Sequence, residues 1–378
     1  KHPLRAAPFL GCALLALLIA GCGAKTDPNG ETVKVGISDA GCSPAKLKLT
    51  AGAKNFEIET TGSGKVTEYE ILDGTRILGE RENLTPGVTG RFSLNLPAGE
   101  YSSYCPNGET TEYGKVIVSG SGGSTNVAGS SKNLQKAVAS YGGYVNGQTA
   151  ELVKRTALFT AAIDAGNVEK AKSLFASTRE PYETIEPVAE SFGGLDPRID
   201  ARVNDVAAGD EWTGFHRIEK ALWVNNTTKG LSKYTKQLTA DVKELQAKAK
   251  DLTYQPAELA NGATTLLDEV SKSKITGEED RYSHTDLFDF AANVDGSQLA
   301  FKLLAPAVKE KNAALAEEIN GRFADVDKAL LKYRSPSGNG YVLFTELTPA
   351  DQKLLSQKID ALAEPLSKVA ALVVASGK

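Results

Sequence analysis

The stretch Ser119-Gly120-Ser121-Gly122-Gly123-Ser124 divides the chain into two parts with different sequence patterns. Gly/Ser-rich segments behave as flexible linkers because they have too few apolar side chains to pack a core. A chain of 378 residues is long enough to form more than one hydrophobic core. We therefore predict a linker over residues 119–130, a first domain over residues 31–118 and a second over residues 131–378.

Before the linker, apolar and polar side chains alternate in short runs, as they do in β-strands. The alternation is clear over residues 32–37, 56–59 and 92–96. Turn sequences such as Asp73-Gly74 separate the runs. Short strands with frequent turns in fewer than 100 residues predict an all-β sandwich.

After the linker, apolar residues recur at helical spacing. Leu231, Leu238, Val242 and Leu245, for example, fall on one stripe. The pattern predicts an all-α bundle, with helices over residues 133–165, 167–177, 182–191, 210–223, 231–252, 256–273 and 351–375.

An acidic stripe is expected on the third of these helices. Pro181 suits a first helical turn, which would place Glu183, Glu186 and Glu190 on a single face. Such a stripe is typical of a solvated surface as well as of a binding site. Pro187 would bend or end the helix.

The N-terminus has the features of an export signal. Lys1 and Arg5 precede an apolar run over residues 6–20, which is shorter than an ordinary membrane-spanning helix. The run ends in Leu18-Ile19-Ala20-Gly21-Cys22, which resembles a bacterial lipobox. We predict a lipoprotein signal peptide over residues 1–22 and an acylated Cys22 that anchors the protein at the extracytoplasmic face, at the cell surface or in the periplasm. The alternative is an ordinary cleaved signal with a chance cysteine.

Charge and cysteine usage narrow the class of protein further. The chain has 43 Lys and Arg against 47 Asp and Glu, and the lysines are interspersed with acids, so nucleic acid is not expected as a partner. Outside the predicted signal only Cys42 and Cys105 remain. In an oxidising compartment the pair predicts a disulfide, and a thiolate pair for a soft metal is the alternative.

One helical turn carries the residues best suited to bind a metal. His216 and Glu219 lie three residues apart, so a helix would place both on one face, where they could share a cation. His-x-x-Glu is common by chance, and a lone buried histidine usually only satisfies a hydrogen bond. The chain has only three histidines, however, and His2 belongs to the predicted signal.

Four segments together resemble the imelysin (insulin-cleaving-peptidase-like) family: residues 182–192, Leu195-Asp196-Pro197, His216-x-x-Glu219 and residues 282–287. The resemblance implies a metal site formed by His216, Glu219, Glu183 and Asp196, with Glu186 as the alternative to Glu183. His284 and Asp286 would support that site, form a second one, or make an interhelical hydrogen bond.

The ligand set implied by the resemblance indicates which metals fit. One imidazole with three carboxylates suits ferrous or ferric iron, with zinc or manganese as alternatives, and is poorly matched to cuprous copper.

The end of the first domain, residues 97–105, resembles the last hairpin of the cupredoxins. The chain has no methionine and no histidine between residues 3 and 215, so the ligands of a blue-copper site are missing and copper is poorly matched here too. We therefore expect a cupredoxin-like fold without that copper centre. The family resemblance points instead to Glu68 and Glu70, near Cys42 and Cys105, as a second metal site; two exposed strand acids are the alternative.

The order lipobox, cupredoxin-like domain and imelysin-like domain resembles extracytoplasmic iron-binding components of bacterial uptake systems. The resemblance implies a non-enzymatic role: capturing iron for a membrane iron permease, alongside a haem peroxidase-like protein. A metallopeptidase and a ferroxidase partner of the permease are the alternatives. Against a peptidase, the motif His-Glu-x-x-His is absent from the sequence.

Overall fold

A computed structural model of the chain describes residues 30–62, 64–110, 112–123, 131–206, 209–338 and 340–374. The predicted signal peptide over residues 1–22, with Cys22, lies outside the described residues, as do residues 124–130 of the predicted linker.

Among the described residues, nine strands form the first domain: β1 (Glu31–Ser38), β2 (Gly41–Ser43), β3 (Lys46–Thr50), β4 (Gly52–Thr60), β5 (Tyr69–Asp73), β6 (Arg76–Arg81), β7 (Thr89–Leu96), β8 (Gly99–Tyr104) and β9 (Gly114–Ser119). One sheet has the order β2-β1-β4-β7, and the other has the order β3-β9-β8-β5-β6. Two sheets packed face to face confirm the predicted all-β sandwich.

The apolar residues of the alternating pattern form the core of this sandwich. Val33, Val35 and Ile37 of β1 point inward, with more exposed residues between them. Phe56 and Phe92 lie on paired strands and stack with ring centroids 4.8 Å apart. The period of two therefore places one side of each strand in a continuous apolar core.

In the described part of the second domain there are ten α-helices: α1 (Lys132–Asp164), α2 (Val168–Glu183), α3 (Asp196–Asp200), α4 (Gly214–Trp223), α5 (Ser232–Asp251), α6 (Pro256–Lys272), α7 (Asp286–Lys311), α8 (Ala313–Leu330), α9 (Pro349–Leu366) and α10 (Val369–Val374). The predicted all-α architecture is confirmed. Helices α7 and α8 are absent from the sequence prediction. The first half of the central α7 is buried on most sides, and its polar residues Asp289, Asn293 and Ser297 are buried with the apolar ones, so no apolar stripe stands opposite a solvated face.

The predicted helix over residues 182–191 is wrong. Helix α2 continues through Pro181 to Glu183, and a separate 3-10 segment, Glu186–Phe192, follows with a non-helical Val188. Pro181 is therefore near the end of a helix and not in a first turn. Pro181 has no N–H group to donate to the Ser177 carbonyl. This carbonyl accepts a hydrogen bond of 2.6 Å from Arg155 instead. The single acidic helix face expected for Glu183, Glu186 and Glu190 does not form.

The two domains are in direct contact along helix α6. Arg76 of β6 donates to Glu258 (2.7 Å), and Arg81 pairs with Asp268. The Asn261 amide donates to the Ser93 carbonyl of β7 (2.8 Å) and accepts from the Ser93 N–H (3.4 Å). Strands β6 and β7 are edge strands of the two sheets, so the helical domain covers edges that would otherwise be open to unwanted pairing.

No helix among the described residues combines the length and the apolar content needed to cross a bilayer.

Candidate metal centre

Helix α4 presents His216 and Glu219 toward the interior of the helical domain. Both side chains are buried, and His216 Nδ1 lies 3.1 Å from Glu219 Oε2. The other oxygen, Glu219 Oε1, accepts hydrogen bonds from the backbone N–H groups of Tyr282 (2.9 Å) and Ser283 (2.7 Å). The two backbone N–H groups therefore hold the Glu219 carboxylate in place, and the carboxylate fixes the orientation of the imidazole ring.

The second ring nitrogen, His216 Nε2, faces two carboxylates. Asp200 Oδ1 lies 3.7 Å from Nε2 and Glu279 Oε1 lies 3.6 Å from it. The nitrogen is buried and has no hydrogen-bond partner among the described residues. Asp200, His216 and Glu279 thus offer one ligand atom each, within 4.8 Å of one another.

Gly214 allows helix α4 to approach Asp200 this closely. It begins the helix with φ +81°, and a Cβ at this position would lie 2.2 Å from the carbonyl oxygen of Ile199. Only glycine fits both the left-handed conformation and the close approach. The glycine two residues before His216 therefore brings α4 against the end of α3.

A second candidate group lies on the Nδ1 side of the same ring. It consists of His216, Glu219 and Asp280, and Asp280 Oδ1 lies 3.8 Å from His216 Nδ1. Asp286 accepts from the Asp280 backbone N–H (3.1 Å), so it supports the loop that carries this acid. The His284 backbone bonds to Asp280 O (2.7 Å), and no candidate group among the described residues includes the His284 or Asp286 side chain.

The charges of the centre shift the pKa values of its groups. Burial and the neighbouring Arg179 lower the pKa of His216, whereas its interactions with Glu219 and Glu279 raise it, and the balance is about 10. Burial raises the pKa of Asp280 to about 7 despite the opposing effect of Arg179. Without a metal the imidazole therefore carries a proton at neutral pH, and a metal that binds Nε2 has to displace it.

The structure does not bring Glu183 or Asp196 into either candidate group. The Glu183 carboxylate pairs with Arg179 (2.6 Å) and lies 3.5 Å from Lys274 Nζ. Asp196 accepts a short hydrogen bond from the Tyr182 hydroxyl. Glu186, the alternative to Glu183, pairs with Lys274 at 2.6 Å.

Asp200, Glu279 and Asp280 were missed in the sequence. Asp200 lies four residues after Asp196, so a signal existed in the same acidic segment. Glu279 and Asp280 precede the family-like residues 282–287 but lie about 60 residues from His216 in the chain. Sequence spacing carries no information about contacts at that separation.

In the first domain, Cys42 and Cys105 form a disulfide, so the alternative of a thiolate pair for a soft metal does not apply to the structure. The second site expected from Glu68 and Glu70 with these cysteines is therefore not assembled as predicted. Glu68 instead forms a candidate group with Glu80 and Glu82. Glu70 is buried, and burial raises its pKa to about 7.

A cavity of about 580 Å³ between the two domains connects these acids with the helical centre. Glu68, Glu80 and Glu82 line it from the first domain, and Asp200 and Glu279 line it from the second. Further carboxylates around it are those of Glu70, Glu186, Glu190, Asp196, Asp205, Glu258 and Glu269. Two carboxylates that face His216 Nε2 are thus also walls of an acidic cavity.

The chain belongs to the imelysin family, whose model matches residues 137–369. A model of the cupredoxin-like domain matches residues 11–118. The two matches fall on the helical domain and the sandwich, respectively.

The curated relatives cover nearly the whole chain. The protein named "Iron uptake system component EfeO" from Escherichia coli O1:K1 / APEC is 44% identical over 342 residues, covering 89% of this chain and 90% of the relative. The proteins of the same name from Escherichia coli strain K12 and from Shigella flexneri are each 43% identical over the same length. The chain is therefore similar to these proteins across both domains.

Among solved structures, rusticyanin from Thiobacillus ferrooxidans is 17% identical, with a TM-score of 0.20, and covers 24% of this chain and 79% of its own. The cupredoxin-like assignment depends on the strands themselves and on the family model.

Proposed function

We propose that this protein is a non-enzymatic iron-binding component of an iron uptake system. The relatives that match it over 89% of its length carry the name of such a component. The observation in the molecule that supports this function is the buried His216 Nε2, which has no hydrogen-bond partner among the described residues and faces two carboxylates. The distances from Nε2 to these carboxylates are longer than hydrogen bonds, and a cation that replaces the Nε2 proton would be ligated directly by all three groups.

In this proposal the metal binds His216 Nε2, Asp200 and Glu279. Glu219 accepts from Nδ1 and keeps the lone pair of Nε2 directed at the ion, as carboxylates behind ligating histidines commonly do. One imidazole and two carboxylates suit ferrous or ferric iron, with zinc or manganese as alternatives, and suit cuprous copper poorly. Of the ligands implied by the family resemblance, Glu183 pairs with Arg179, which also contacts Asp200 and Glu279, whereas Asp196 accepts from Tyr182.

The acids of the first domain are proposed as a second cation site. Glu68, Glu80 and Glu82 provide three carboxylate oxygens, ligands that hard cations prefer, and Glu70 lies beside them. The site faces the cavity that also reaches Asp200 and Glu279. Carboxylates of both domains therefore line the space between the two proposed sites.

The proposal places the protein outside the cytoplasm on a lipid anchor at Cys22, where it delivers iron to a membrane permease and works with a haem peroxidase-like protein. The lipobox-like sequence supports the anchor, and the name of the relatives supports the presence of partner components. Mass spectrometry of membrane fractions would test the anchor: a Cys22→Ala variant recovered in the membrane as fully as wild type would refute it.

Calorimetric titration of the purified mature chain tests the metal centre. Ferrous iron under anaerobic conditions, ferric citrate, manganese, zinc and cupric ions would be titrated into wild type, His216→Ala and Asp200→Asn. The control is Glu211→Gln, which changes an exposed carboxylate that pairs with Lys233. Wild type and control should bind iron alike, and both site variants should lose at least about tenfold in affinity. Equal iron binding by wild type and His216→Ala would overturn the proposal.

A metallopeptidase is the competing function, because the imelysin family is named for peptidase activity. The same proteins would be incubated with casein and insulin. We expect no cleavage above the His216→Ala background. Cleavage by wild type and Glu211→Gln, but not by His216→Ala, would favour the peptidase.

A further inference from the structure

Arg179 places a permanent positive charge beside the metal centre. Its side chain projects from α2, is fully buried, and packs near the faces of Phe175 and Phe215, with the guanidinium carbon 5.7 and 5.8 Å from the ring centroids. A guanidinium does not lose its proton in a protein. The charge is therefore present whether or not a metal is bound.

The guanidinium contacts the same oxygen atoms that face His216. Asp200 Oδ1 accepts a short hydrogen bond from Arg179 Nη1 and lies 3.7 Å from His216 Nε2. Glu279 Oε1 lies 3.4 Å from Arg179 Nη2 and 3.6 Å from His216 Nε2. Each oxygen is thus shared between the imidazole side of the centre and Arg179.

Arg179 also contacts acids that do not face Nε2. Glu183 lies 2.6 Å from Nη2, Asp289 lies 3.3 Å from it, and Asp280 lies 3.6 Å from Nε. The planar fork of an arginine can hold several carboxylates at fixed angles, which a lysine cannot do. The acids of α2, α3, α7 and the loop before α7 are therefore assembled around a single side chain.

We propose that Arg179 is the internal counter-cation of this metal centre: it holds Asp200 and Glu279 in place before the ion arrives and lowers the affinity for the ion in proportion to the ion's charge. This inference rests on the proposed function. Coulomb repulsion grows with the charge of the second ion and is strong where water is excluded. Arg179 therefore lowers the affinity for a trivalent ion more than the affinity for a divalent ion. It is a positioning residue that also sets charge selectivity. The consequence for an uptake component is that ferric iron is bound and can still be released.

The test compares a trivalent ion without redox chemistry, gallium supplied as citrate, with divalent manganese. Affinities of the full mature chain would be measured by competition with a chelator for wild type, Arg179→Met and Arg179→Lys. Arg91→Met serves as the matched control, because Arg91 is exposed on β7 and pairs with Glu57 at the surface of the first domain. The readout is the ratio of the gallium affinity to the manganese affinity.

We expect Arg179→Met to raise this ratio at least about tenfold, because the lost charge repelled gallium more strongly than manganese. Arg179→Lys keeps the charge and loses the fork, so both affinities should fall together with the ratio unchanged. Arg91→Met should match wild type. An unchanged ratio in Arg179→Met, whether or not both affinities fall, would show that Arg179 is only a structural support.

Two further outcomes are decisive. If Arg179→Met does not fold, as judged by circular dichroism, Arg179→Lys still tests the idea, and a tenfold change of its ratio would overturn it. If wild type and His216→Ala bind both ions equally, the proposed function itself fails before Arg179 is at issue.

Discussion

Glu219→Gln is the substitution that best tests how the imidazole is prepared for a metal. In the wild type, Glu219 Oε1 accepts from two backbone N–H groups and Oε2 accepts from His216 Nδ1. In the variant, the amide oxygen should keep the two backbone hydrogen bonds, because an amide nitrogen there would face two donors. The amide N–H₂ group then points at Nδ1 and donates to it, so the neutral ring, the form that has to bind the metal, carries its proton on Nε2 instead of Nδ1.

The expected loss follows from this change of tautomer. A proton on Nε2 blocks the atom that the metal is proposed to bind. Loss of a carboxylate behind a ligating histidine typically costs 10- to 100-fold in metal affinity, or about 1.4 to 2.8 kcal/mol. The fold should be largely unaffected, because the side chain keeps its shape and its two backbone hydrogen bonds.

Iron calorimetry on a double-mutant cycle provides the assay, with Glu219→Gln and His216→Ala alone and combined. If Glu219 acts through His216, it should have no further effect once the imidazole is gone. Glu211→Gln again controls for the loss of one carboxylate charge. A further drop in the residual affinity of His216→Ala on adding Glu219→Gln would show that Glu219 is itself a ligand, and would favour the group of His216, Glu219 and Asp280.

Three other changes have defined outcomes. Gly214→Ala should lower both the melting temperature and the iron affinity, because the new Cβ would lie 2.2 Å from the Ile199 carbonyl oxygen and add about 1 to 3 kcal/mol of strain to the folded state. The control is Gly143→Ala, which places a Cβ in open space on α1. Equal effects of the two substitutions would contradict the reasoning. Asn261→Ala removes both interdomain hydrogen bonds to Ser93 and should cost about 1 to 3 kcal/mol in urea unfolding; an unchanged midpoint would exclude a role in joining the domains. Metal-free protein should lose stability between about pH 4.5 and about pH 7, because in this window acids with raised pKa values hold protons in the folded chain that the unfolded chain has released, and saturating iron should flatten the slope; a melting temperature that rises with pH across this window would refute this. The groups concerned, each with a pKa of about 7, are Asp280, Glu70 and Glu258.

The prediction of a helix over residues 182–191 is wrong because it treats Pro181 as the start of a helix. Pro181 was placed at a helix start, although α2 runs through it, because Arg155 from another helix satisfies the freed Ser177 carbonyl. The expected stripe of Glu183, Glu186 and Glu190 depended on that boundary. A distant side chain decided the local structure, and sequence windows cannot contain it.

The sequence alone determined the two-domain order, the all-β and all-α classes and the pairing of His216 with Glu219. Each of these depends on neighbours within a few residues, through strand alternation, helical spacing or a glycine-rich break. Only the tertiary structure decided that Asp200 and Glu279 face His216 Nε2, that Glu183 pairs with Arg179, and that the acids of both domains share a cavity. Those contacts join segments far apart in the chain, and the packing of α2, α3, α4 and the loop before α7 brings them together.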